Sequence, residues 1–366
     1  MQNGLNIRPA VFLVILTSAV LAFLGCAAVG PRSISMGRAD YNSAINRTEN
    51  EQLLMAIVKG RYGETTSLLS VQSVAANVRF SARADVEFGF GPESSYAGNL
   101  VPFSGGGAYE ENPTITYAPI HGEKYIRQLL SPIGLDILLL IVRAREAKEN
   151  SYFSVLVKQV NDLQNPDFID GSSPPPDSRF KRFVELSRKL HRAGVLHWLA
   201  DQRKEVAFDI YINGYAPTHS EQVREYLHLL GLPMPTDSSE GIVLPAYFAI
   251  KGRKWDGIAI STRSTGELVE ILRAAVDIPD KHREEGLTIE YPPMGLVGRD
   301  VHIRSSEAKP ARAVVAVKHR GYWFYIDDTD MHTKLFYQLV RILWSFSIAN
   351  SMDTTPAPLL TIPVSR

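Results

Sequence analysis

The sequence of 366 residues has a single cysteine, Cys26, so no intramolecular disulfide can form. It also lacks an excess of either charge, because 39 lysine and arginine residues are matched by 39 aspartate and glutamate residues. Concentrated positive charge is what binds a phosphate backbone, so this balance argues against nucleic acid as a partner. A chain of this length can bury enough apolar surface to fold by packing alone.

Common catalytic motifs are missing as well. The sequence has no Gly-x-Ser-x-Gly, no His-Glu-x-x-His and no Gly-x-x-x-x-Gly-Lys. The histidines are scattered, and no two of them have the spacing typical of zinc ligands. We therefore predict no cofactor and no metal, and the sequence favours a non-catalytic role over an enzymatic one.

Long apolar runs are absent except near the N-terminus. Two later segments, residues 133–142 and 335–349, are interrupted by polar or charged residues and predict buried helices. The run at residues 10–24 follows a single charged residue, Arg8, and is closed by Gly25. It is shorter than the ~20 apolar residues that span a bilayer, so residues 1–25 are predicted to be a signal peptide.

Residues Phe23-Leu-Gly-Cys26 resemble the lipobox of bacterial lipoproteins, in which a dedicated peptidase cuts before an acylated cysteine. The resemblance implies lipidation of Cys26, attachment to a membrane through this lipid, and a tether over residues 26–39. Ala27 after the cysteine implies sorting to the outer membrane, with the folded part on the periplasmic face. The inner membrane and secretion are the alternative locations. A secretory signal with an incidental cysteine, or an uncleaved anchor, is the alternative interpretation of the segment.

The rest of the chain is predicted to form two regions and a tail. In the N-terminal region, residues 40–170, an amphipathic helix with a break near Asn50 precedes one or two strands over residues 67–90. Residues 91–119 are rich in glycine and proline and predict a long loop with a short strand at residues 114–117. Helices are predicted at residues 122–130 and 135–148, whereas residues 152–163 fit either a strand or a helix.

The segment Gly171-Ser-Ser-Pro-Pro-Pro176 is the predicted boundary with the C-terminal region, residues 177–350, which precedes a tail at residues 351–366. Helices are predicted there at residues 178–191, 220–230, 265–276 and 331–348, and strands at residues 205–213, 242–250, 257–261, 301–304, 313–319 and 322–326. Ser220 is the candidate N-cap of the second of these helices. This order predicts an α/β (α+β) fold, with a mixed sheet backed by helices and an N-terminal region of helix and strands.

The densest polar cluster is Asp327-Asp-Thr-Asp330, between a predicted strand and a predicted helix. Three carboxylates in four residues offer oxygen ligands to a hard cation. Aspartate before a helix also accepts hydrogen bonds from its first backbone N–H groups, and the loop lacks the further ligands of a calcium loop. We therefore favour helix capping by Asp327 or Asp328 over a cation site formed by Asp327, Asp328 and Asp330.

Arg263 follows a predicted strand and precedes a predicted helix, where anions bind backbone N–H groups. A guanidinium there could pair with a phosphate or a carboxylate of a ligand. It could equally pair with Asp327 or Asp328 and tie two similar strand-turn-helix units together. No glycine-rich loop accompanies it, so the structural ion pair is favoured.

Three short segments, Ile57-Val-Lys-Gly-Arg-Tyr62, Thr114-Ile-Thr-Tyr-Ala-Pro-Ile120 and Trp323-Phe-Tyr-Ile-Asp-Asp328, together with the lipobox, resemble an uncharacterised family of proteobacterial lipoproteins. The resemblance implies a place in the cell envelope and brings no catalytic residue with it.

Two functions remain open at this point. The first is a lipid-anchored, non-catalytic scaffold or assembly partner of other envelope proteins. The second is an envelope hydrolase, or a protein that binds a small ligand or cation, using Arg263 and the aspartates of the Asp327–Asp330 cluster. The two functions differ in whether these side chains lie in an open cleft or are paired beneath others.

Overall fold

A computed structural model of the chain describes residues 39–75, 78–86, 103–111, 114–144, 151–170, 178–200, 207–213, 219–233, 241–250, 256–351 and 360–363. Cys26, the signal peptide and the proline-rich segment at residues 171–176 lie outside these ranges. The chain forms two compact units, one from Met1–Glu49, Leu68–Pro119 and Asp353–Arg366, the other from Asn50–Ser67 and Ile120–Met352. The two units therefore do not follow the predicted division at residues 171–176.

Helix α1, residues 39–61, is continuous, so the predicted break near Asn50 is wrong. The Asn50 carbonyl accepts a hydrogen bond of 2.7 Å from the hydroxyl of Tyr337, which holds the backbone at this point. The helix ends where Gly63 takes a left-handed φ of 71°, as the sequence predicts for a closing glycine. Leu54, Ile57 and Val58 on its second half are fully buried.

In its described residues the smaller unit contains the strands β1 (Leu68–Ala75), β2 (Val78–Val86), β3 (Phe103–Glu111), β4 (Thr114–Ile120) and a last strand at Leu360–Pro363. The predicted strands at residues 67–90 are confirmed as β1 and β2. The strand predicted at residues 114–117 is confirmed as part of β4, whereas β3 lies where residues 91–119 were predicted to form a loop. Glycine disfavours strands in isolation, but Gly105, Gly106 and Gly107 are held in a ladder, opposite residues 82–84 of β2.

The larger unit is built on a six-stranded sheet in the order β6-β5-β10-β9-β8-β7. These strands are β5 (Val157–Val160), β6 (Leu163–Gln164), β7 (Leu196–Ala200), β8 (Phe208–Ile212), β9 (Ile242–Phe248) and β10 (Ile258–Thr262). Strands β9 and β10 pair in parallel and the other pairs are antiparallel. A second sheet, in the order β11-β13-β12, contains β11 (Arg304–Ser306), β12 (Ala313–His319) and β13 (Tyr322–Asp327).

Helices accompany these sheets along the larger unit. They are α2 (Glu123–Leu130), α3 (Leu135–Ala144), α4 (Ser151–Leu156), α5 (Ser178–Arg192), α6 (Ser220–Leu229), α7 (Thr265–Ala274), α8 (Asp280–Glu284) and α9 (Met331–Ser351). Apolar side chains between helices and sheet are fully buried, among them Phe183 of α5, Tyr226 of α6 and Phe208 of β8. The predicted fold class, α/β with a mixed sheet backed by helices, is confirmed.

Several local predictions need correction. The ambiguous residues 152–163 contain both a helix, α4, and a strand, β5. The N-cap of α6 is His219, and Ser220 is its first helical residue. The strand expected at residues 301–304 begins only at Arg304. None of the helices in the described ranges is long and apolar enough to cross a membrane.

Candidate functional site

Arg263 lies between β10 and α7, and its side chain has no exposed surface. The local sequence Ser264-Thr-Gly-Glu267 forms a capping box, which starts α7 directly after the arginine. The Ser264 hydroxyl accepts from the Glu267 N–H at 3.1 Å, and the Glu267 carboxylate accepts from the Ser264 N–H at 2.8 Å. The first turn of α7 is therefore already capped from within the chain.

The guanidinium of Arg263 is bonded on every nitrogen. Nε donates to Asp167 Oδ1 at 2.5 Å, and this pair compensates the charge of Arg263. The other nitrogens donate to backbone carbonyls at the end of α4 and beyond it: Nη1 to those of Ser154 (3.1 Å), Val155 (3.0 Å) and Val157 (2.8 Å), and Nη2 to that of Asn165. Burial lowers the pKa of Arg263, and the charge of Asp167 opposes that shift. The arginine thus caps the C-terminus of α4 and joins it to β5 and β10.

The sequence hypothesis paired Arg263 with Asp327 or Asp328, and the partner in the structure is Asp167. Asn165 completes the cluster, since its amide donates to the carbonyls of Ser154 at 2.7 Å and Val157 at 2.8 Å. No motif points to Asp167, because 96 residues separate it from Arg263 and nothing local links them.

The carboxylates of the Asp327–Asp330 cluster are each used inside the chain. Asp327 accepts from the N–H and the hydroxyl of Thr329 at 2.9 and 2.6 Å, and these bonds lower the pKa of Asp327. Asp328 pairs with the ammonium of Lys334 at 2.5 Å. Asp330 accepts from the N–H and the hydroxyl of Thr333 at 3.0 and 2.7 Å, so Asp330 caps α9 in place of Asp327 or Asp328.

Across the part of the chain that the structure describes, no three His, Cys, Asp or Glu side chains are grouped so that they could hold a metal ion. The aspartate cluster therefore has the geometry of a turn and a helix cap.

A cleft of about 460 Å³ lies beside the Arg263 cluster. Ser154 and Asn165, which bond Arg263 through their carbonyls, belong to its wall. The other lining residues come from α4, α5, α9 and residues 296–300, namely Val155, Phe180, Lys181, Val184, Glu185, Arg188, Leu296, Val297, Arg299, Asp300 and His332. The cleft thus combines an apolar part with six ionisable side chains, and of the predicted site residues none lines it.

A second polar cluster lies at the end of α1, around Tyr62. The Tyr62 hydroxyl and His282 Nδ1 are 2.7 Å apart, and both side chains are buried. The Tyr62 ring also meets the rings of His319 and Phe324 edge to face, with centroids 5.1 and 6.1 Å apart. Burial raises the pKa of Tyr62 to about 12, so its hydroxyl stays protonated at neutral pH and is a poor base or nucleophile.

Glu64 links this cluster to the hairpin between β12 and β13. The turn residues Arg320 and Gly321 both have left-handed φ angles, 46° and 91°, as a two-residue hairpin turn requires. Arg320 donates to Glu64 at 2.8 and 3.0 Å and lowers the pKa of Glu64. Nε2 of His319 lies 3.4 Å from Glu64, outside hydrogen-bond geometry, and burial lowers the pKa of His319.

The motif Ile57-Val-Lys-Gly-Arg-Tyr62 is explained by packing at this place. A Cβ atom on Gly60 would lie 2.3 Å from Nε of Arg273, so a larger residue at this position requires the end of that arginine side chain to move. The guanidinium of Arg61 stacks on the ring of Tyr291, 4.8 Å from its centroid. The motif therefore marks the position of the Tyr62 cluster in the sequence, but it does not indicate that Tyr62 contacts His282 and His319.

Comparison with protein-family models, with curated proteins and with solved structures found no match to this chain. The resemblance to proteobacterial lipoproteins therefore stays a prediction from the sequence segments quoted above.

Proposed function

We propose that the protein is a lipid-anchored bacterial lipoprotein of the cell envelope, whose folded part is a non-catalytic scaffold or assembly partner. Its anchor is the lipid on Cys26, its location the periplasmic face of the outer membrane, and its partners other envelope proteins.

The observation that carries the non-catalytic part is the environment of Arg263. Its charge is compensated by Asp167, and its other two nitrogens, Nη1 and Nη2, each donate to backbone carbonyls at full burial. A residue in that position cannot meet a substrate unless the surrounding chain opens. The aspartates of the cluster are likewise engaged by nearby residues. Asp327 accepts a hydrogen bond from Thr329, Asp328 pairs with Lys334, and Asp330 accepts a hydrogen bond from Thr333.

The anchored part of the proposal rests on the sequence. The apolar run ends in Phe23-Leu-Gly-Cys26, and the composition after it offers no concentrated positive charge that would hold the protein on a lipid surface. A thioether-linked diacylglycerol with an additional N-acyl chain supplies the two hydrophobic anchors that stable membrane attachment needs.

The test replaces Cys26 with serine. In a Gram-negative host fed a labelled fatty acid, the wild type should carry the label and fractionate with outer membranes. The Cys26→Ser variant should lose the label and remain as the longer precursor or appear in the soluble fraction. The matched control is Ser18→Ala, a change of similar size inside the signal segment that leaves the cysteine intact. Equal labelling of wild type and Cys26→Ser would overturn the lipoprotein proposal.

A further inference from the structure

The cleft between α5 and residues 296–300 has the dimensions of a small-molecule site. Its volume of about 460 Å³ falls in the range of roughly 300–1,000 Å³ that is typical of such sites. Neither the lipid anchor nor a scaffold role requires such a cleft.

Five residues of the cleft lining are apolar. Val155, Phe180 and Val297 are buried to 6%, 2% and 6% exposure, and Val184 and Leu296 are half-buried beside them. The exposed part of Val184 and Leu296 offers apolar surface on which a hydrocarbon is removed from water. The cleft therefore suits a ligand that has an apolar part.

Three cations also line the cleft. Lys181 and Arg188 are seven residues apart on α5, with Val184 between them, so they lie on one face of that helix. Arg299 joins them from the loop before β11. None of these three cations has an ion-pair partner within the ranges that the structure describes.

The neighbouring Arg182, in contrast to the cations of the cleft, forms an ion pair within the protein. Its guanidinium binds both carboxylate oxygens of Glu225 on α6, at 2.7 and 2.8 Å. The cations of the cleft make no such bond, although the arginines among them could form the same fork with a carboxylate or phosphate.

The two carboxylates of the cleft limit the charge of a ligand. Glu185 lies 3.9 Å from Arg182, so part of its charge is already compensated, whereas Asp300 has no cation within ion-pair distance among the described residues. Asp300 would repel a highly charged anion, while three cations remain to attract a single negative group.

We propose that this cleft binds a single-chain anionic amphiphile, with its hydrocarbon on Val184 and Leu296 and its carboxylate or phosphate head on Arg188, Arg299 and Lys181. The protein would then bind a fatty-acid-like or alkyl-phosphate ligand. This inference goes beyond the scaffold proposal and does not depend on lipidation of Cys26.

The experiment is calorimetric titration of the full chain, held in phosphatidylcholine nanodiscs if it carries a lipid and in buffer if it does not, with the same medium without protein as the blank. The four probes are octanoate, octyl phosphate, inorganic phosphate and 1-octanol. At least one of the two amphiphilic anions should bind saturably with one site per chain, and the comparison of these two distinguishes a fatty-acid ligand from a phosphorylated one. Inorganic phosphate lacks the hydrocarbon and 1-octanol lacks the anionic head, so each should bind at least about tenfold more weakly than the better amphiphilic anion.

Three variants place the binding in the cleft. Arg188→Gln and Arg299→Gln should each weaken binding by about tenfold or more, the loss expected when one charge-assisted hydrogen bond is removed. Arg192→Gln is the matched control, because this arginine is exposed at the end of the same helix and does not line the cleft. Its affinity should equal that of the wild type.

Three results would overturn the proposal. They are no saturable binding of either amphiphilic anion, inorganic phosphate binding as tightly as octyl phosphate, or unchanged affinity in Arg188→Gln and Arg299→Gln.

Discussion

Tyr62 and His282 share a buried hydrogen bond of 2.7 Å although 220 residues separate them along the chain. The bond joins the turn after α1 to α8, and the ring of Tyr322 from β13 meets His282 edge to face on the same side of the unit. An N-terminal helix is thereby fixed to elements near the C-terminus by one phenol and one imidazole.

Replacing Tyr62 with phenylalanine should lower the free energy of unfolding by ~1–3 kcal/mol, because the ring stays in place while Nδ1 of His282 loses its buried partner. Denaturant unfolding followed by tryptophan fluorescence measures the loss. Tyr325→Phe, in the strand beside this cluster, is the control and should change the free energy of unfolding by less than about 0.5 kcal/mol. Similar values for the two variants would contradict the role of the hydrogen bond.

The stability should also depend on pH through His319. Burial lowers the pKa of His319 below its ordinary 6.5, so between the two values the unfolded chain binds more protons than the folded one. The free energy of unfolding should therefore rise as the pH increases through this window. Glu64 acts in a lower window: its pKa lies below 4.5, so its contribution is complete above 4.5 and is lost as the pH falls towards the folded value.

Unfolding midpoints measured between about pH 5 and 7 test the histidine part. His319→Gln should flatten the slope in this range. His228→Gln, an exposed histidine of α6, should keep it. A slope that persists in His319→Gln at the wild-type value would assign it to another group.

The buried pair of Arg263 and Asp167 should be expensive to break. Asp167→Asn or Arg263→Gln should each cost ~3–5 kcal/mol, because either change leaves one buried group without its charged or hydrogen-bonding partner. Arg263→Lys should also be less stable than the wild type, since the single nitrogen of lysine cannot replace the three nitrogens with which the planar guanidinium bonds Asp167 and the backbone carbonyls. The measurement is urea unfolding of each purified variant.

The control for that pair is Arg182→Gln, which removes an equally well-formed arginine–carboxylate pair from an exposed position. Its loss should be much smaller than that of Arg263→Gln, because water replaces the lost partner. Equal losses of unfolding free energy in the two variants would mean that the burial of Arg263 does not add to its effect on stability.

The aspartate cluster predicts a graded result. Asp330→Ala should cost ~0.5–2 kcal/mol, because it removes the cap of α9. Asp328→Asn should have little effect, since Asp328 is half-exposed and pairs only with Lys334. Thermal melts with and without millimolar Ca²⁺ or Mg²⁺ should coincide. A metal-dependent rise in the wild-type melting temperature that disappears in Asp330→Ala would contradict the capping role and support a cation site.

The sequence was informative where a structure is set by neighbouring residues. The capping box at Ser264 and Glu267 lies within one helical turn, and the start of α7 was predicted to the residue. The choice between Asp327, Asp328 and Asp330 as the cap of α9 was wrong by two or three positions, because any of them is chemically suited and only the backbone geometry selects one.

The sequence failed where distant segments decide. Strand β3 contains three successive glycines, and its pairing with β2 outweighs their poor intrinsic preference for strands. No sequence pattern around Asp167 indicates that it pairs with Arg263, which is 96 residues away. The cleft likewise combines residues from α4, α5, α9 and the loop before β11. Tertiary contacts of this kind have no local pattern.

The position of β5 between β6 and β10 also bears on the order of folding. Ser154 and Arg263 are 109 residues apart, and the carbonyls of Ser154 and Val155 at the end of α4 accept hydrogen bonds from that distant arginine. Contacts of such long sequence separation slow folding, because a large loop must close before they form. A chain synthesised from its N-terminus therefore leaves α4 and β5 without Arg263 and β10 until residue 263 has been made. If the precursor is exported, this delay keeps it in the unfolded state that threading through a membrane channel requires.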